Sequence, residues 1–214
     1  PGKYTQQYIK WGENFKHKYN DKTYKGFHEH PTCKSRNPWY KLPDLRPSKI
    51  LLPMFFMKRL FIGFSNEEVL CDAALYTIYP KKGLSYEKLF IYLNSTLFLL
   101  TMELYGMRMG GGGGVLQLKV DFYEEIPVPD LTKVNINFDH NKLLNRIPFN
   151  YDEEVMQPDR YELDRTLLLA LGYKEDEVDR LVNELHKAFV EVVGAVTLSF
   201  LHHLLYYGYH IIGF

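Results

Sequence analysis

Apolar side chains return at helical spacing through residues 84–104, at Leu89, Phe90, Leu93, Leu97, Leu100 and Leu104. Ser85, with Lys88 after it, reads as the cap that opens this segment, so the pattern predicts one long packed helix. Five consecutive glycines follow at 110–114. No helix or strand interior carries such a run without a large entropic cost, so it predicts a loop whose backbone is either mobile or closely approached. Residues 115–120 then set Val115, Gln117 and Lys119 against Leu116, Leu118 and Val120, the alternation of a half-buried strand.

Upstream, the runs ILLPMFF, RLFIGFS and VLCDAALYTIYP predict three consecutive strands over residues 49–79. Their separators are Lys58, residues 65–68 and Pro80, with Pro53 at an edge or bulge and Asp72 either a turn residue or an ion-pair partner. Residues 1–35 mix Tyr, Phe, Lys and His with Gly12, Gly26 and Pro31, which predicts short strands and loops. Residues 132–150 have no sustained period and read as a surface connection. Beyond them, Leu163, Thr166, Leu167, Ala170 and Leu171 line one helical face that stops at Gly172. Val178, Leu181, Val182, Leu185, Phe189 and Val192 line a second, giving a helical hairpin. Residues 192–214 carry no formal charge. Their length suffices for a membrane span, but His202, His203 and His210 and the absence of a basic flank favour a buried or interface helix and possible self-association over a membrane. The predicted class is α+β: a mixed or antiparallel sheet with a long packed helix, then a C-terminal helical hairpin and an apolar terminal helix. Residues 1–135 form the α/β domain in this reading and residues 136–214 a helical extension.

A zero net charge hides an uneven distribution. Residues 1–50 hold 11 Lys or Arg against 4 Asp or Glu, a balance of 11 − 4 = +7, and residues 151–214 hold 5 against 12, or −7. The basic, aromatic first part is what a phosphate backbone attracts, whereas the acidic hairpin suits a brace or a surface for another domain. Two cysteines, Cys33 and Cys71, form no disulfide framework and favour a reducing cytoplasm. His28, His30 and Cys33 lack the second ligand pair of a structural zinc site and read as solvated loop residues. The first residues, PGKYTQQYIKWGENF, show no initiator Met and no signal pattern, and read as a cut from a longer protein.

The order LNSTLFLL, ELYG, five glycines, then a strand leading to IPVPDL resembles the target-recognition domain of the TaqI-like and Eco57I-like adenine-N6 DNA methyltransferases, including type IIG and related restriction-modification enzymes. Arg36, Pro38, Trp39 and Tyr40 in SRNPWYKL match a second patch, and the resemblance spans about residues 1–190. It implies a DNA-recognition role in a parent enzyme that flips an adenine and methylates it from S-adenosylmethionine. Asn37-Pro38-Trp39-Tyr40 approaches the catalytic Asn/Asp-Pro-Pro-aromatic motif, but Trp39 replaces the second proline and too few residues precede it for a cofactor fold. Catalysis and S-adenosylmethionine therefore belong to a missing N-terminal methyltransferase domain, and this fragment is expected to hold no cofactor, no metal and no catalytic residue. Double-stranded DNA is the expected partner. The candidate contacts are Arg36, Trp39, Tyr40, Lys49, Lys58, Arg59, Arg108, Gly111, Gly112 and Gly113; Trp39 is as readily a packing residue, and the glycines as readily a helix end. The competing reading is a protein-interaction or assembly module without direct DNA contact, supported by the apolar C-terminus and the acidic hairpin. A self-contained enzyme lacks support: no Walker, Rossmann, Gly-x-Ser-x-Gly or His-Glu-x-x-His motif is present.

Overall fold

The computed structural model describes residues 2–41, 45–109 and 115–193. The chain divides into two compact units, Pro1–Arg46 and Pro47–Phe214.

The first unit contains α1 (Lys3–Asn14), β1 (His17–Tyr19), β2 (Lys22–Tyr24), a 3-10 turn (Phe27–Glu29) and α2 (Pro31–Lys34). The helix α1 corrects the expectation of strands and loops. Tyr4, Tyr8, Trp11 and Phe15 do recur at helical spacing, but they are exposed, Tyr4 at 81% and Trp11 at 47%, so they do not form the aliphatic, core-facing stripe that usually marks a helix. Gly12 reads as punctuation in the sequence and is a contact in the structure: a Cβ there would lie 2.5 Å from the Trp39 ring. The antiparallel hairpin β1-β2 turns through Asn20 and Asp21, both at positive φ, a conformation that short polar side chains tolerate.

The second unit begins with β3 (Ser48–Pro53), β4 (Phe55–Phe56), β5 (Gly63–Val69) and β6 (Leu75–Ile78). It continues with α3 (Tyr86–Leu93), α4 (Thr96–Tyr105), β7 (Met107–Met109), β8 (Val115–Gln117) and α5 (Val120–Glu125). Four more helices close the described chain: α6 (Asn141–Leu144), α7 (Tyr151–Glu154), α8 (Pro158–Ala170) and α9 (Val178–Val193). Two antiparallel sheets result, ordered β5-β3-β6 and β4-β8-β7, as the α+β class requires. Ile50 and Leu52 point inward from the central β3, while Pro53 ends it beside Leu75 alone. The strand expected in RLFIGFS falls later, over Gly63–Val69. Leu60 and Ile62 are buried without being strand residues, and an edge strand such as β5 accepts Asn66, Glu67 and Glu68 where a central one would not. Asp72 is a turn residue, its carboxylate accepting from the Ala74 amide at 2.9 Å.

The predicted long helix is two helices. Ser85 caps α3 as expected, accepting from Lys88 N at 3.1 Å. The break comes at Asn94-Ser95, where Ser95 Oγ accepts from Phe98 N and donates to Tyr92 O, making a new N-cap inside the apolar run. The Asn94 amide accepts from Ile62 N at 3.0 Å and donates to Ile62 O at 3.2 Å, as a strand neighbour would. The Asn94 carbonyl accepts from the fully buried Arg160. Asp164, also fully buried, accepts from Thr96 N at 2.8 Å and from His186 Nε2 at 2.7 Å.

The hairpin α8-α9 forms as predicted, with Gly172 at φ +101 just beyond α8. Residues 132–150 depart from the surface connection expected of them, because Ile136, Phe138 and Leu143 are buried in the main core. The strand expected over 115–120 stops at Gln117, since Lys119 starts α5. One continuous core runs from Ile50 to Val193 and includes residues on both sides of position 135. The apolar terminal helix expected within 192–214 lies, after Val193, outside the described residues. Among those described, no helix is long and apolar enough to cross a membrane.

Arg146, Glu154, Asp159 and Arg160 form an ion network behind the break: Glu154 accepts from Arg146 at 2.6 Å and from Arg160 at 2.7 Å, and Asp159 from Arg146 at 2.6 Å. Burial is the largest single influence on the Glu154 carboxyl and pushes its pKa up, but the hydrogen bonds and charges of the two arginines, with the Phe149 amide, outweigh it and hold the pKa at about 2. A folded pKa below the ordinary 4.5 means that the unfolded chain binds the proton first. The contribution is complete above about pH 5 and is lost as pH falls towards 2. Glu154→Gln should destabilise the protein by about 3 kcal/mol at pH 7, since it leaves Arg160 buried without its counter-charge. It should also flatten the acid limb of the melting-temperature profile; calorimetry from pH 7 to pH 2.5 reads both.

Candidate nucleic-acid interface

The sheet β4-β8-β7 has two unlike faces. Phe56 and Leu116 are register partners and buried, and Leu118 next along the chain is buried as well. Alternation turns the intervening positions outward. Phe55 pairs with Gln117, and Gln117 with Met107, so these three stand in one row across the sheet. Phe55 is 44% exposed, Met107 48% and the nearby Met57 68%. A domain that leaves three large apolar side chains exposed on and beside one sheet face has a surface suited to contact.

Cations stand at both ends of this face. Lys58 and Arg59 follow β4 after Met57, both exposed, and the carbonyl of Lys58 is held by the Tyr151 amide at 2.9 Å. Lys119, two residues beyond Gln117, is exposed at the other end, where Asp121, Glu124 and Glu125 of α5 follow it. Lys58, Arg59 and Lys119 make no ion pair with any described residue. Met109 and Val115 are register partners, so the five glycines at 110–114, themselves outside the described residues, connect the adjacent strands β7 and β8. The run therefore joins two strands, where the sequence pointed to a link from a helix to a strand. Gly106 carries the helix-to-strand step instead: a Cβ there would lie 2.5 Å from Leu116 Cδ1 and 2.8 Å from Met102 O.

The described sequence-derived candidates belong to both units, and those of the second unit fall on or beside two different sheets. Lys58 and Arg59 lie beside the sheet β4-β8-β7, and Arg108 is on β7 as the register partner of Leu116. Lys49 is on the other sheet, half-buried in β3. Arg36, Trp39 and Tyr40 belong to the first unit. Arg36 is exposed, and its amide donates to Cys33 O at 2.9 Å. Trp39 packs on Gly12, lies 6.2 Å from Phe27 between ring centroids and has Tyr40 edge-on at 5.6 Å, which makes it a packing residue with its indole N–H buried and without a protein partner among the described residues. Gly111, Gly112 and Gly113 are outside the described residues. Gln117, Phe55, Met107 and Lys119 were not selected from sequence, although the alternation in VLQLK already put Gln117 and Lys119 on one face. A separate cavity of about 700 Å³ between the start of α8 and the end of α9 includes His186, but the Nε2 of that residue is engaged by the buried, α4-capping Asp164.

These features define an α+β module presenting a short β-ribbon whose face combines apolar, amide and cationic groups. Residues 4–160 match the family model described as the C-terminal domain of type II methyltransferase M.Eco57I, and the chain belongs to that family. Comparisons with curated proteins and with solved structures gave no match.

Two substitutions separate scaffold from surface. Gly106→Ala should lower stability by about 2 kcal/mol through its clash with Leu116 and the Met102 carbonyl. Phe55→Ser combined with Met107→Ser should shift stability by no more than about 1 kcal/mol, since both side chains are already half in water. Urea denaturation of the three proteins reads the contrast.

Proposed function

We propose that this chain is the DNA target-recognition domain of a site-specific adenine-N6 methyltransferase from a restriction-modification system, and that duplex DNA lies against the outer face of the sheet β4-β8-β7. The observation that carries the reading is an exposed ribbon face with cations at its ends that make no ion pair among the described residues, in a chain of this methyltransferase family. Cations at the ends of a strand pair are placed to hold phosphates, and side chains between them to meet base edges in a groove. The acidic hairpin α8-α9 is a poor match for phosphates; its charges are largely taken up internally, as by Arg165 with Asp179 at 2.8 Å. Methyl transfer and S-adenosylmethionine binding belong, in this reading, to a catalytic domain outside this sequence, and a reducing cytoplasm suits the two free cysteines.

A second role has its own support. Tyr4, Tyr8, Trp11 and Phe15 form an exposed aromatic side of α1, which favours protein contact by the unit Pro1–Arg46. The two readings part in a salt titration. Fluorescence anisotropy with a labelled random-sequence duplex should show affinity falling steeply with salt, and Lys58→Ala with Arg59→Ala should reduce the slope of log affinity against log salt by about two, one per lost phosphate contact. Salt-insensitive self-association without DNA binding would favour the protein-contact role.

A further inference from the structure

We infer that Gln117 is a specificity-determining residue of this domain and that it reads an adenine in the major groove of duplex DNA. The inference rests on the DNA-recognition reading above and adds the base and the side chain. Gln117 occupies the centre of the exposed row, between Phe55 on β4 and Met107 on β7. Its neighbours along β8, Leu116 and Leu118, are fully buried, so the alternation of the strand turns the Gln117 amide away from the core. That amide makes no hydrogen bond with any described residue. The residue is half-buried, but its amide atoms reach solvent and lack an internal partner, so its donor and acceptor are available to a ligand that offers the complementary pair.

Adenine offers that pair on its major-groove edge. Its N7 accepts and its N6 amino group donates, at the spacing a carboxamide matches with two parallel hydrogen bonds. Phe55 and Met107, on either side, suit the methyl group of thymine, which is the other apolar feature of that groove. Size agrees for the hairpin β7-β8, since the major groove, about 12 Å wide, admits a two-stranded ribbon and the minor groove, at about 6 Å, does not. Lys58 and Arg59 at one end of the face and Lys119 at the other are placed for the flanking phosphates.

The test is selection by the full 214-residue chain from a pool of duplexes with a random centre, followed by sequencing of the retained DNA. Wild type should enrich a motif with at least one fixed adenine. Gln117→Ala should lower the preference for adenine at one position by about tenfold or more, and Gln117→Arg should convert that position to guanine, whose O6 and N7 match a guanidinium. Thermal melts of both variants check folding, and the gain of guanine by the arginine variant cannot arise from a general loss of structure. An unaltered motif in both variants overturns the assignment of Gln117 and leaves DNA recognition standing. Wild-type binding without any fixed adenine likewise overturns it. Retention of no duplex by wild type removes the DNA-recognition reading itself, and the inference with it.

Discussion

The carbonyl of Asn94 is left without a helical partner when α3 ends, and the guanidinium of Arg160 reaches it from another helix. Much of the second unit depends on this buried bond. An apolar run such as LNSTLFLL has every local reason to continue as one helix, so interrupting it requires compensation for each backbone group released. The compensation comes from three separate parts of the chain: the break itself, residue 62 and helix α8. Ser95 caps the new helix, Ile62 clasps the Asn94 amide, Arg160 takes the carbonyl and Asp164 takes the Thr96 amide. Buried charges are costly to hold, which is why Glu154, Arg146 and Asp159 surround Arg160 and why His186 backs Asp164.

Breaking the helix sets the direction of everything downstream. The new helix α4 packs against α9 and delivers the chain at Gly106, where the absence of a side chain lets β7 start directly against Leu116. The hairpin β7-β8 then has one face committed to the core through Leu116 and Leu118, leaving Gln117 and its row outside. The face proposed to meet DNA is thus held by a scaffold whose backbone groups at the helix break are satisfied from within, a suitable basis for a ribbon that must keep its shape on contact.

Charge is distributed in keeping with that division of labour. Arginines of the C-terminal helices are engaged with their own carboxylates, whereas Lys58, Arg59 and Lys119 around the ribbon pair with no carboxylate among the described residues. The family match over residues 4–160 takes in the ribbon from β7 to β8, which exposure and register single out within it.

Periodicity alone determined the α+β class, the cap at Ser85, the hairpin α8-α9 and its stop at Gly172, because each depends on neighbours a few residues apart. The LNS, ELYG and glycine sequence was likewise enough to place the chain in its family. Tertiary structure decided the rest. The helix break needs Ile62, Arg160 and Asp164, the first about thirty positions away and the others nearly seventy, and no local pattern contains them. Residues 132–150 show no helical period, and the short alternation at Val134, Ile136 and Phe138 buries side chains in the core without forming a strand. The helix α1 escaped notice because its stripe is aromatic and faces solvent. The cationic candidates were scattered over two units and two sheets because charge is visible in a sequence while the face on which it stands is not; Gln117 became distinguishable only when register placed it between Phe55 and Met107.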